Sequence, residues 1–234
     1  MPGKIEGKRV VITGVSRGIG YHTAKLFLQE GARIIGIARD ENRLKKVTEE
    51  FKKYGDFEGV VADLGMKGFE KDIVDAVSKK WGALDILINN AGVMLAYRGF
   101  LEDEDGVIEK TFQINLFAPY YLVRAMVPFL LKGKEPRIIN VSSGAGTFEA
   151  LSMYDIATYR ISKFALNGFT IVLSNELKGK VAVNSLDPGW VKTDLGGPNA
   201  PGSPEESAVG ALLLATMPFE VTGKFFKDGK EIPY

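Results

Sequence analysis

The sequence predicts an α/β protein, a single-domain doubly wound parallel β-sheet with helices on both faces. Three observations carry that prediction. Short runs rich in Val and Ile, bounded by turn residues, alternate with stretches of helical apolar periodicity along the chain, and such runs mark strands buried on both faces. The first run, Val10-Val11-Ile12-Thr13, enters Gly14-Val15-Ser16-Arg17-Gly18-Ile19-Gly20 and then a helical pattern. Finally, 234 residues with 45% hydrophobic content can bury a sizeable core, and no repeat, low-complexity tract or linker divides the domain spanning 1–234.

The elements follow in order. After the strand at Val10–Thr13, the pattern gives a helix over Ile19–Glu30, a strand over Arg33–Ala38 and a helix over Asp40–Tyr54, which Asp40 is placed to cap. A third strand, Glu58–Ala62, leads to a helix over Lys67–Lys80, and a fourth strand, Leu84–Asn89, to a long helix over Asp105–Leu131. The fifth strand, Arg137–Ser142, precedes a helix over Thr158–Lys178 and a sixth strand, Val181–Leu186. Ser203-Pro204-Glu205-Glu206 is a capping box with proline at the first helical position, and starts a last helix.

Composition narrows the function. Thirty basic and 29 acidic residues leave a net charge of +1, which gives no reason to invoke nucleic acid or an anionic membrane and points to a small-molecule partner. No signal-like segment or 18-residue apolar run is present, so a soluble cytoplasmic protein is expected. The absence of cysteine excludes disulfides, thiolate catalysis and cysteine-ligated metal, and the single histidine, His22, makes no metal centre.

Four groups of residues carry chemistry. The glycine turn offers backbone amides at a helix N-terminus, where a nucleotide's phosphates settle, although its G-x-x-x-G-x-G spacing differs from the usual dinucleotide fingerprint. Asn89-Asn90-Ala91-Gly92 follows the fourth strand, at the carboxyl edge where open α/β sheets bind ligands. Ser142-Ser143 ends the fifth strand, and Asn115 is an amide within the apolar stretch Phe112–Phe117, where it needs buried partners. Tyr159 and Lys163, four apart on one helical face, can bring an ammonium near a phenol, which lowers the phenol pKa from about 10 toward that of a general acid.

Together, Thr13–Gly20, Asp63-Leu64, Asn89-Asn90-Ala91-Gly92, Asn115, Ser142-Ser143, Tyr159-x-x-x-Lys163 and Pro188-Gly189-Trp190-Val191-Lys192-Thr193 resemble the short-chain dehydrogenase/reductase family, over nearly the whole chain. The resemblance implies a Rossmann-like fold. It implies Tyr159 as acid/base, Ser143 binding the carbonyl oxygen, Lys163 holding the nicotinamide ribose while lowering the tyrosine pKa, and Asn115 anchoring a water in a proton relay. Ser143 rather than Ser142 is chosen because it precedes Gly146 by three, and the 16-residue step from Ser143 to Tyr159 is longer than the family's commonest spacing. Cofactor contacts are implied for Gly14, Ser16, Arg17, Gly18, Ile19, Gly20, Arg39, Asp63, Leu64, Asn90, Ala91, Gly92, Tyr159, Lys163, Pro188, Gly189, Val191 and Thr193.

NAD-specific members place an acid at the end of the second strand, where this chain has Ala38 followed by Arg39. Arg39 and Arg17 together suit a 2′-phosphate, so NADP(H) is the expected cofactor and NAD(H) a weaker one. Asp40 either caps the following helix or softens that preference. The segment from Asp187 to Ala200 resembles the carbonyl reductase branch, whose members reduce aldehydes and ketones. Met94, Met153, Tyr154, Trp190 and Leu195 are candidates for an apolar substrate wall, within a substrate loop at about 188–210 whose Gly- and Pro-rich part, 196–202, suits a mobile lid. The chain lacks the long insertion before Tyr159 of monomeric vertebrate carbonyl reductases, which leaves the helices near 105–131 and 158–178 free to pair in a homodimer or homotetramer. The reading is therefore an NADP(H)-dependent oxidoreductase acting on a carbonyl/alcohol substrate. A 3-oxoacyl-thioester reductase and a non-catalytic NADP-sensing protein are the alternatives.

Overall fold

The structure, a computed structural model, describes residues 3–234. The first two residues of the expected 1–234 domain lie outside it. Apolar runs without alternation form the parallel strands β1 (Arg9–Thr13), β2 (Arg33–Ala38), β3 (Phe57–Val61), β4 (Ile86–Asn89), β5 (Arg137–Val141) and β6 (Ala182–Asp187). Helices α1 (Gly18–Gln29), α2 (Glu41–Phe51), α3 (Glu70–Lys80), α4 (Val107–Phe112), α5 (Ala118–Leu130), α6 (Ala157–Glu176) and α7 (Pro204–Thr216) connect them and cover the sheet. The sheet order is β3-β2-β1-β4-β5-β6, extended by β7 (Phe225–Lys227) and β8 (Lys230–Ile232). Strand order reverses between β1 and β4, which opens a crevice at the carboxyl ends of those strands.

Successive strand residues point to opposite faces and build two cores. Val10, Ile12, Ile34 and Ile88 pack with Phe27, Phe51 and Leu212 from α1, α2 and α7. Val11, Ile35, Leu87 and Ile138 pack with Ile73, Leu122, Met126 and Leu173 from α3, α5 and α6. At the sheet's opposite end Asp85, 3% exposed, accepts hydrogen bonds from the Arg9 amide (2.9 Å), the Arg9 guanidinium (2.8 and 2.9 Å) and the Lys134 amide (2.8 Å). These contacts hold its carboxyl below the usual range against burial, which pushes it up. One side chain thus ties β1, β4 and the turn before β5.

Two features depart from expectation. The strands β7 and β8 went unforeseen, because three residues each carry little periodicity. Their signal is Asp228-Gly229, both at positive φ (49° and 74°), as a two-residue hairpin turn requires. The expected long helix is interrupted by a π turn over Gln113–Phe117. Pro119 supplies the cause: it has no N–H for the carbonyl of Asn115 four residues earlier, and its ring crowds that carbonyl. Elsewhere the expected ends differ by a few residues; α2, for instance, stops at Phe51. The capping box forms, with Ser203 Oγ accepting from the Glu206 amide at 3.2 Å and the Ser203 amide donating to Glu206 Oε2 at 2.9 Å. No helix among the described residues is long and apolar enough to cross a membrane.

Candidate active site

The β1–α1 turn forms one end of a cavity of about 790 Å³ at the strands' carboxyl ends. Gly14 (φ 77°) and Gly18 (φ 57°) adopt backbone conformations that suit glycine. Helix α1 has neither a side-chain cap nor an acidic residue in its first turn, so its leading amides are not claimed by a local carboxylate, and Ser16, Gly18 and Ile19 line the cavity. Gly20 lies behind the wall: a Cβ there would sit 2.3 Å from Gly14 O and 2.4 Å from Asn90 Nδ2.

Arg39 follows β2 on the same wall and has no carboxylate within 4 Å among the described residues. Asp40 acts as the helix cap, its Oδ1 accepting from the Arg43 amide at 2.9 Å. The expectation of two available guanidiniums needs correction, because Arg17 forms an ion pair with Asp194. That acid follows β6, and only the fold brings it opposite the glycine turn. Asp63 and Leu64 continue the wall after β3, with Asp63 Oδ1 held by the Gly65 amide at 2.9 Å.

At the end of β4, Asn90 and Ala91 donate their amides to Thr13 Oγ1 at 3.0 Å each, and Asn90 Nδ2 donates to Thr13 O at 2.8 Å. The Asn90 side chain therefore braces the glycine turn. Gly92 instead makes room for its neighbours, since a Cβ there would lie 3.3 Å from Lys163 Nζ and 3.4 Å from Asn115 Oδ1. Asn115 is fully buried. Its Oδ1 accepts from the Val93 amide (2.8 Å), and its Nδ2 donates to Val93 O (2.9 Å) and Ser162 Oγ (3.0 Å). Its side-chain amide thus fastens the loop after β4 to α6, with both Nδ2 protons spent on protein acceptors. The main-chain carbonyl, denied an α-helical donor by Pro119, is the atom suited to anchoring a water.

Ser143, Tyr159 and Lys163 meet in the middle of the cavity. Ser142 Oγ is engaged by Lys163 O at 3.3 Å, whereas Ser143 Oγ accepts from the Ala145 amide at 3.1 Å and keeps its proton to donate. The long step from Ser143 to Tyr159 is taken up by short 3₁₀ turns at Gly144–Gly146 and Glu149–Ser152. Lys163 Nζ donates to Val141 O at 2.9 Å and lies 5.7 Å from the Tyr159 ring centroid. The expected lowering of the phenol pKa is not what this pocket produces. Burial pushes Tyr159 up to about 12; Ser143 hydrogen bonding pulls the other way and the Asp187 carboxylate adds to the rise. The same burial lowers Lys163 to about 8. Desolvation disfavours both charged forms.

The far end of the cavity is more apolar. Met94, Met153, Trp190 and Leu195 line it as expected, but Tyr154 does not: it is 84% exposed and borders a neighbouring cleft. Sequence reasoning missed Tyr97, whose hydroxyl donates to Leu195 O at 3.2 Å across the opening. It also missed Asp155, Arg160 and Lys227, which line the cavity and belong to no short motif. Pro188, Gly189, Val191 and Thr193 form the wall after β6. The glycine-rich segment beyond them is knotted at its base, with Trp190 Nε1 donating to Gly196 O (2.7 Å), Gly202 N to Trp190 O (3.1 Å) and Lys192 N to Gly202 O (3.0 Å).

A cofactor fits the turn end on these grounds: an uncapped helix N-terminus, glycines where Cβ atoms would crowd the wall, and an arginine with no internal carboxylate. The family model of short chain dehydrogenase matches residues 8–203. A short chain dehydrogenase of Pseudocercospora fijiensis is 36% identical over 202 residues, 84% of this chain and 64% of that one. A 3-oxoacyl-(acyl-carrier-protein) reductase of Thermotoga maritima is 34% identical over 197 residues, 82% of this chain and 77% of its own length. Among solved structures, NADPH-bound carbonyl reductase from chicken fatty liver superposes with a TM-score of 0.88 at 28% identity, covering 98% of this chain and all of that one.

Proposed function

The chain belongs to the short-chain dehydrogenase family, and from that premise we propose that it is an NADP(H)-dependent carbonyl reductase or alcohol dehydrogenase. One observation carries the reading: Ser143, Tyr159 and Lys163 converge between an uncapped helix N-terminus and an apolar pocket within a single cavity. The bound cofactor supplies the hydride. Ser143 donates to the carbonyl oxygen, Tyr159 delivers the proton to the developing alkoxide, and Lys163 holds the ribose and offsets charge on the phenol. Arg39 receives the 2′-phosphate, which a carboxylate at that strand end would repel. NAD(H) is the weaker cofactor. The 188–210 segment closes the substrate end.

The Thermotoga relative supports a second reading, reduction of a 3-oxoacyl thioester. A third, a cofactor-sensing protein without catalysis, gains nothing from a chain that keeps both Tyr159 and Lys163. NADPH oxidation across ketones, aldehydes, sugars and acyl thioesters separates them: turnover of simple ketones or aldehydes supports the first, thioesters alone the second, and binding without turnover the third. Exposed aromatics on α5 support a homodimer or homotetramer, including Tyr120 and Tyr121, each 45% exposed.

A further inference from the structure

We propose that Arg160 is a positioning residue for this reaction, fastening the segment ahead of α6 so that Tyr159 is presented to the cavity in one place. The inference rests on Tyr159 being the acid/base. Helix α6 begins without any cap of its own: the residue before it, Ile156, cannot cap with its side chain and sits in the left-handed region at φ 43°, ψ 36°. For a β-branched residue that conformation persists only where the surroundings over-determine it.

Arg160 is the device that does so. It is 6% exposed, and it reaches back over the helix start. Its Nε donates to Asp155 O at 2.9 Å, one Nη donates to Asp155 Oδ1, and the same Nη lies 3.4 Å from Met153 Sδ. Its amide completes the loop by donating to Ile156 O at 3.0 Å. The Arg160 side chain thus holds the residue just before the strained position while its main chain bonds Ile156 itself, and Arg160 follows Tyr159 directly. The following side is secured separately, by the Thr158 hydroxyl on Asp103 and the Ala157 amide on Arg98 O at 3.2 Å. Burying a guanidinium against Asp155, whose side chain is 60% exposed, is a poor way to gain electrostatic stability. As a two-point hook on a backbone carbonyl and a carboxylate it is well formed.

The test compares Arg160→Met, Arg160→Lys and the double variant Arg160→Met/Ile156→Gly with wild type. Glycine adopts the left-handed conformation without strain, so it removes the need for the hook. Arg160→Met is expected to lower kcat by about 10- to 100-fold, the cost of a misplaced group, while NADPH affinity is retained and amides 155–159 exchange hydrogen faster. The double variant recovers much of the lost kcat, and Arg160→Lys, with a single-point grip, falls between and serves if the methionine variant does not fold. Unchanged kcat and exchange in Arg160→Met, or a double variant no better than the single, overturns the inference. A wild type that reduces no carbonyl overturns the proposed function instead, and the exchange measurement still reads the hook without any substrate.

Discussion

Two opposed effects meet at Tyr159 and Lys163. Burial pushes the phenol up to about 12 and the ammonium down to about 8, so desolvation favours the uncharged form of each group. Tyr159→Phe keeps the ring and removes the transferable proton; turnover should fall at least about a hundredfold with cofactor still bound, by steady-state kinetics and titration. Because Lys163 loses its proton near pH 8, NADPH affinity should decline as pH rises through that value, and Lys163→Met should abolish the decline. A pH series of fluorescence titrations reads both. Arg39→Ala should weaken NADPH binding by about 1.5–3 kcal/mol, the range for hydrogen bonds to charged groups, with little effect on NADH; calorimetry with both cofactors checks it, and equal losses would make Arg39 merely structural.

Among elements, the strand ends divide the work. Carboxyl ends carry the cavity, and the opposite ends carry the Asp85 knot. Asp85→Ala removes acceptors from two amides and a guanidinium, and should destabilise the fold by about 1.5–3 kcal/mol in urea unfolding. The folded Asp85 carboxyl is held below its unfolded value. Its contribution is therefore complete above the ordinary carboxylate range, near pH 4, and is lost as pH falls through the folded value. Acid titration of stability should be shallower in the variant. The β1–α1 turn is equally intolerant: a Cβ on Gly20 would meet a backbone oxygen at 2.3 Å, so Gly20→Ala must move the turn that faces the cofactor.

At the scale of the whole molecule, the two cores leave apolar side chains uncovered along α5 and α6. Phe117, Tyr120 and Tyr121 are each about 45% exposed, and Val172 is 65% exposed. Covering that face with a second copy removes the exposure, so light scattering should give two or four times the chain mass. Tyr121→Asp or Val172→Asp should shift the population toward monomer. A concentration-independent monomer for wild type would falsify the assembly.

How much was legible depended on whether the signal was local. The sequence by itself determined the alternation of strands and helices, the strand-end positions of the glycine turn, Asn90 and Ser143, and the shared face of Tyr159 and Lys163. Each follows from the period or spacing of neighbouring residues. Asp228-Gly229 and Pro119 were local signals too, and account for the hairpin and the π turn. Tertiary structure alone decided that Asp194 claims Arg17, that Tyr154 turns away from the cavity, that Arg160 hooks Asp155, and that burial pushes the Tyr159 phenol up. Those outcomes depend on which distant groups the sheet brings together and how much water it excludes, and neither quantity is written in residue spacing.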